Sequence, residues 1–298
     1  MKRFDYIRPS DLREAIALLK EHNGRSAILA GGTDLLVQIK MRAAKPELLI
    51  DLKAIPNLND INFEKGNGLA IGALTTLREL EASKVIRDNY TAISESALII
   101  GSIQVRNKAT VGGNLCNAAP SADMAPILIA LGAEAVITGE GGERVILLED
   151  FFLGPGRTAL KTGEILTGLI VPPKSPLTGA SYLRHTPRKR MDLAFVGVGS
   201  VVTTEADNET VKDARIALGA VAPTPMRAKK AEEVLRGGKI SESLVQEAAQ
   251  TASNEASPID DLRASAEHRK EMVKVYTERS LRAALDRAVS APAREINR

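Results

Sequence analysis

Hydrophobic spacing divides the chain into stretches of different kinds. In residues 1–24 a short strand turns at Pro9 into a helix. Leu12, Ala15, Ile16 and Leu19 recur at helical intervals, with Ser10 placed to cap the start and Gly24 to stop the end. SAILAGG (26–32) reads as a buried strand ending in a glycine pair, and LLVQIK (35–40) continues apolar. ELLIDLKAI (47–55) is another short strand between Pro46 and Pro56, so the first 55 residues form a small α/β unit. INFEKGNGLAIGAL (61–74) reads as a hairpin with Gly66-Asn67-Gly68 as its turn. Residues 75–100 are helical in pattern, with Thr76 and Glu79 at capping-box spacing. A second glycine pair, Gly112-Gly113, is followed by an apolar helix and a strand. EILTGLIVPP (164–173) closes this part, and Pro172-Pro173 with KSPLTG reads as a linker.

From about residue 178 the texture changes. ASYLRH (180–185), LAFVGVGSVVTT (193–204) and VKDARIALGAV (211–221) alternate as antiparallel strands do. Helical patterns follow at 227–238, 241–256 and 264–289, the last long and amphipathic. Strands first and helices after make an α+β unit.

Composition narrows the function classes. A chain of 298 residues can hold two domains, and 44% hydrophobic with 26% charged residues is ordinary for a soluble protein. Forty Lys+Arg against 37 Asp+Glu give +3, too little to imply nucleic acid or a membrane surface as the main partner. The basic run Arg184–Arg190 reads as a solvated loop. Cys116 is the one cysteine, which rules out an intrachain disulfide and fits a reducing compartment. It also rules out an iron–sulfur cluster held by this chain alone, since such clusters take about four thiolates. The three histidines, His22, His185 and His268, offer no metal-ligand spacing. The start has no signal-peptide core, and no stretch approaches the roughly 20 apolar residues of a membrane span, so the expected location is cytoplasmic.

The candidate chemistry lies in the two glycine-pair segments, LAGGTDL (29–35) and TVGGNLCNAAPSAD (110–123). Each sets consecutive backbone N–H groups, free of side-chain shielding, beside small hydroxyl or amide residues. Such loops make nests for phosphate oxygens, and two of them from different subdomains could hold the two phosphates of a dinucleotide. Asp123 would suit ribose hydroxyls, which donate in pairs to a carboxylate. A tight structural turn is the alternative for either loop taken singly. Neither is a GxGxxG fingerprint nor a Walker A sequence. GVGSV (197–201) places its serine in an apolar strand rather than a nucleophile elbow. Cys116 reads as an inert buried thiol, Asp34 as a polar cap, and Asp192 as paired with its basic neighbours. The pattern is that of a cofactor holder, with no catalytic residue and no metal ligand.

AGGTDLLVQIK, IGSIQVRNKATVGGNLCNAAPSADMAPILIALGAE, YLRHTPRKRMDLAFVGVG and ARIALGAVAPTPMRAKKAEEVL, in this order over nearly the whole chain, resemble the FAD-binding medium subunit of molybdenum hydroxylases, the xanthine dehydrogenase and carbon monoxide dehydrogenase family. The resemblance implies an α+β protein. A two-part FAD domain of vanillyl-alcohol-oxidase type would occupy 1–176 (subdomains about 1–55 and 56–176). A flavoprotein C-terminal domain with a three-stranded antiparallel sheet and helices would occupy 177–290, and a tail 291–298. Leu29, Ala30, Gly31, Gly32, Thr33, Asp34 and Leu35 would form the first pyrophosphate loop, and Thr110, Gly112, Gly113 and Asn114 the second. Asp123 would bind ribose, Ile100 and Leu166 would flank the adenine, where plain core packing is the other reading, and Arg184 would lie near the flavin ring. The family's complex adds a large subunit with the molybdenum cofactor and a small subunit with two [2Fe–2S] clusters, expected as a dimer of heterotrimers. This chain would pass electrons from those clusters through FAD to NAD, a quinone, oxygen or another acceptor. Some relatives hold an extra cluster in this subunit, for which this chain lacks the cysteines. A free-standing dinucleotide binder and a self-sufficient flavin oxidase are the competing functions; the absence of a histidine near either glycine pair counts against the oxidase.

Overall fold

The computed structural model describes residues 3–188 and 191–290. The tail expected at 291–298, and Lys189 and Arg190 of the basic run, lie outside the described residues.

Strands β1 (Asp5–Ile7), β2 (Ser26–Leu29) and β3 (Leu48–Asp51) form a parallel sheet in the order β1-β3-β2. Helix α1 (Leu12–His22) connects the first two strands, and α2 (Leu35–Lys40) the second and third. Asp11, not Ser10, caps α1: its carboxylate accepts the Glu14 amide at 2.9 Å, while the Ser10 amide donates to the Glu14 carboxylate. The chain leaves α1 through Asn23 and Gly24, both at positive φ. β2 is half-buried at a sheet edge rather than fully buried. The LLVQIK run is a helix of its own, burying Ile39 and exposing Leu36 and Val37.

The second unit is built on an antiparallel sheet. Strands β4 (Ile61–Glu64) and β5 (Gly68–Gly72) form the expected hairpin, with Gly68 at φ +91° opening the return strand. The long helical pattern after it becomes three helices, α3 (Leu77–Ala82), α4 (Lys84–Asn89) and α5 (Thr91–Leu98). They break at Ser83, whose hydroxyl caps α4, and at Tyr90. The Thr76–Glu79 capping box is present at the start of α3. Short helices α6 (Ile103–Arg106) and α7 (Val111–Cys116) and the fully buried α8 (Met124–Ala130) follow. Strands β6 (Glu134–Gly139) and β7 (Gly142–Leu147), the small hairpin β8 (Phe152–Gly154) with β9 (Arg157–Thr158), and β10 (Ile165–Val171) complete the unit. β10 lies at the centre of the sheet order β4-β5-β10-β6-β7. A core of Leu69, Ile71, Leu77, Leu80, Ile93, Met124 and Phe151 fills the space between sheet and helices.

The C-terminal part pairs β11 (Thr178–His185), β12 (Val196–Thr204) and β13 (Val211–Gly219) antiparallel. A fourth strand, β14 (Met226–Arg227), is added to the expected three, and two residues are too few to read from alternation. Helices α9 (Lys229–Leu235), α10 (Glu242–Glu255) and α11 (Ala266–Val289) cover one face. α8 of the middle unit packs on β12 and β13, so the sheet is covered from both sides.

Candidate cofactor site

Segments beside the three larger sheets converge on one cavity of about 730 Å³, within the range of about 300–1,000 Å³ usual for ligand pockets. The first glycine pair enters it directly from β2. Gly31 has no room for a side chain, because a Cβ there would stand 2.0 Å from the Lys108 carbonyl oxygen. The two glycine segments are therefore pressed together. Gly32 holds φ +76°, a conformation glycine adopts at little cost. Among the described residues, the amides of Gly31, Gly32, Thr33 and Asp34 donate to no protein acceptor, and all four residues line the cavity. This is a run of bare donors on the cavity lining, the arrangement that binds phosphate oxygens.

The second glycine pair works differently from the expected nest. It lies inside α7, and the surrounding backbone has already used its amides. Val111 donates to Thr75 O, Gly112 to Ala73 O at 2.9 Å, Gly113 to Thr110 Oγ1 at 3.0 Å, and Asn114 to Thr110 O. Gly112 is required for closeness, since a Cβ would lie 2.6 Å from Ala73 O. This segment offers side chains instead. Asn114 Oδ1 is buried without a hydrogen-bond partner and its residue lines the cavity. Since the two ends of a carboxamide are interchangeable by a flip, the point is one unpaired polar atom there. Gln38 Nε2 donates to Asn117 Oδ1 at 3.2 Å, tying α2 to the end of α7.

Ile100 and Leu166 lie in the wall with Leu77, Val105, Leu160 and Ile165. Asp123 is 7% exposed and also lines the cavity. Its Oδ1 accepts from the Tyr182 hydroxyl at 2.8 Å and its Oδ2 from Arg184 Nη1 at 2.7 Å. Burial pushes its carboxyl above the ordinary range, against the opposing pull of the Arg184 guanidinium and the Tyr182 hydroxyl. Two of a carboxylate's roughly four lone-pair sites remain for a ligand. The C-terminal part adds Arg188, Met191, Asp192, Leu193 and Arg263 to the lining.

Of the residues singled out in the sequence, the structure brings Ala30–Leu35, Ile100, Thr110, Gly112, Gly113, Asn114, Asp123 and Leu166 to this one cavity. Leu29 and Arg184 do not line it: Leu29 ends β2 in the protein interior, and Arg184 stands behind Asp123 and also donates to Ile99 O. Cys116 is in the wall, half-buried, with its thiol pushed up to about 12 by desolvation, which leaves little thiolate at neutral pH. Tyr182 went unassigned in the sequence. Its signal is alternation, since residues 182 and 184 share one face of β11 and both reach Asp123. Among the described residues no group of three or more His, Cys, Asp or Glu side chains is placed to hold a metal ion, and no helix is long and apolar enough to cross a membrane.

Residues 2–174 match the family described as the FAD binding domain in molybdopterin dehydrogenase, and 181–284 that of the CO dehydrogenase flavoprotein C-terminal domain. The carbon monoxide dehydrogenase medium chain of Hydrogenophaga pseudoflava is 36% identical over 282 residues, covering 95% of this chain and 97% of that one. Caffeine dehydrogenase subunit beta of Pseudomonas sp. strain CBB1 is 32% identical over 287 residues, 96% of each chain. A solved structure of the Hydrogenophaga pseudoflava carbon monoxide dehydrogenase, in a form lacking the Mo-pyranopterin moiety of its cofactor, superposes with a TM-score of 0.92 at 35% identity, over 96% of this chain and 98% of that one.

Proposed function

The chain belongs to the family of FAD-binding medium chains of molybdenum hydroxylases, and from that premise we propose that it holds FAD in the cavity described above and relays electrons for a catalytic centre on a partner chain. Its role is that of an oxidoreductase subunit with an FAD-binding domain. The bare amides of Gly31–Asp34 carry the proposal, because four consecutive unpaired donors lining one cavity suit an anionic ligand. Those amides hold the diphosphate, and the Asn114 carboxamide beside them, turned so that its Nδ2 faces the cavity, donates one further bond. Asp123, fixed by Tyr182 and Arg184, accepts from the ribose hydroxyls. Ile100 and Leu166 give the adenine an apolar wall from which water is excluded. Thr110 keeps α7 wound and Leu29 anchors the strand from which the first loop springs. Arg184 acts on the cofactor through Asp123.

Bound FAD supplies the redox chemistry, taking up and releasing electrons that no side chain here can carry. The chain's own residues bind, orient and shield, and none is assigned a catalytic step. In the assembled enzyme the electrons come from [2Fe–2S] clusters on a small partner subunit, after oxidation at the molybdenum cofactor of a large subunit. NAD or another acceptor would take them up. Two such heterotrimers form the complete particle.

Replacing Gly32 by Val tests the binding site. A Cβ there would lie 2.9 Å from Leu29 Cδ1 at a φ of +76° that valine avoids. The expected outcome is a purified chain without visible flavin absorbance whose C-terminal part still unfolds cooperatively. A variant with stoichiometric FAD would contradict the assignment of the loop.

A further inference from the structure

The wall residue Ile100 stands in a segment with neither helix nor strand to hold it. α5 ends at Leu98, and the chain turns through Ile99, Ile100 and Gly101, the last at φ +53°, before α6 begins. The last carbonyls of a helix have no intrahelical donor, and cations near that end are favoured. Here two buried guanidiniums meet the carbonyls of the two residues that follow α5. Arg184 Nη2 donates to Ile99 O at 2.7 Å, and Arg106 Nη1 to Ile100 O at 3.1 Å.

Arg106 is 3% exposed and does not line the cavity. Its other edge is fixed: Nε donates to Glu81 Oε2 at 2.7 Å, and Glu81 Oε1 accepts in turn from Arg78 at 2.5 Å. Glu81 sits on α3 and Arg106 on α6, whose neighbours Leu77 and Val105 are themselves wall residues. The guanidinium thus spans from a carboxylate anchored on one wall helix to the backbone that presents Ile100. A simpler device would suffice to bury a positive charge. A planar fork with one edge on a carboxylate and the other on a specific carbonyl sets a distance and an angle.

We propose that Arg106 is a positioning residue of the cofactor cavity: without reaching the ligand, it sets the place of Ile100 and so the fit of the apolar wall to the adenine end. The inference rests on the FAD reading given above. It goes beyond it in naming a residue, outside the cavity lining, on which cofactor affinity depends through one intermediary.

A double-mutant cycle on the full chain tests it, with FAD titrated into apoprotein by flavin fluorescence and the thermal midpoint of each apoprotein recorded alongside. Arg106→Lys keeps a cation for Glu81 but cannot fork to Ile100 O as well. Alone it is expected to weaken FAD binding about tenfold, as coupled neighbours typically do. In an Ile100→Ala background the same change should weaken binding less than about twofold, because the side chain it positions is gone. The change in thermal midpoint on Arg106→Lys should be equal in both backgrounds. An equal loss of FAD affinity in both backgrounds, or none with Arg106→Lys alone, overturns the inference. Should Arg106→Lys not fold, Glu81→Gln releases the anchored edge and runs the same cycle with the same two readings. If Ile100→Ala alone leaves FAD affinity unchanged while Arg106→Lys lowers it, positioning through Ile100 is refuted. If neither it nor Gly32→Val alters FAD binding, the cavity assignment fails instead.

Discussion

Asp123 joins a ligand wall to two side chains from a distant strand, and its removal should be costly. Asp123→Ala would leave the Arg184 guanidinium, whose side chain is 5% exposed, buried without its carboxylate. Breaking a buried pair from one side costs about 3–5 kcal/mol. Arg287→Ala breaks a pair with Glu95 in which both side chains are about a third exposed, and such pairs are worth about 0–1 kcal/mol. Urea unfolding of both apo variants should show that contrast, and equal losses would mean that Asp123 is not held as described. Individual residues were legible where backbone chemistry left a mark in the sequence. A glycine pair beside Thr33 and Asp34 signalled a crowded, bare turn, and the turn is both: Gly31 for closeness to Lys108, Gly32 for its positive φ. Arg106 and Tyr182 gave no such mark, because an arginine or tyrosine in a regular element acquires its role from partners 25 and 59 residues away.

At the scale of elements, periodicity located the long helices and the alternating strands, and faltered where elements are short. LLVQIK is only six residues of helix, and β14 only two of strand, so neither repeats its period often enough to be recognised. The second glycine pair was misassigned to an open loop for a physical reason. Thr110 caps the Gly113 amide in the way that starts a helix, and the crossing Ala73–Thr75 backbone takes the amides of Val111 and Gly112, so the donors that a nest would have kept are used. The hairpin of β6 and β7 carries a testable clamp to the start of β10. Arg144 grips both oxygens of Glu164 at 2.8 and 2.7 Å, and the Lys161 amide adds a third bond. The Arg144 guanidinium, against some burial, holds the Glu164 carboxyl down at about 2, from an ordinary 4.5. A lowered carboxyl contributes stability that is full above the unfolded value and lost as pH falls through the folded one. Acid titration of apoprotein stability should therefore fall less steeply between pH 4.5 and 2 in Glu164→Gln than in the native chain; parallel curves would refute the clamp.

Taken whole, the three larger sheets are arranged so that their loops meet. The loop after the parallel sheet's β2 supplies bare amides, the five-stranded unit supplies Asp123 and apolar wall residues, and the C-terminal part supplies the two side chains that fix Asp123 and adds Arg188, Met191, Asp192, Leu193 and Arg263 to the lining. On the proposed reading the Gly31–Asp34 amides hold the diphosphate and Asp123 a ribose, so both halves of a dinucleotide contribute to binding. Titrating apoprotein with FAD and separately with FMN, followed by flavin fluorescence, tests this most directly. FMN shares the flavin but lacks the adenosine half and the second phosphate. One equivalent of FAD should bind, with FMN at least about a hundredfold weaker, a difference of two factors of ten in affinity. FMN binding as tightly as FAD, or FAD failing to bind at all, would contradict a dinucleotide held across Gly31–Asp34 and Asp123.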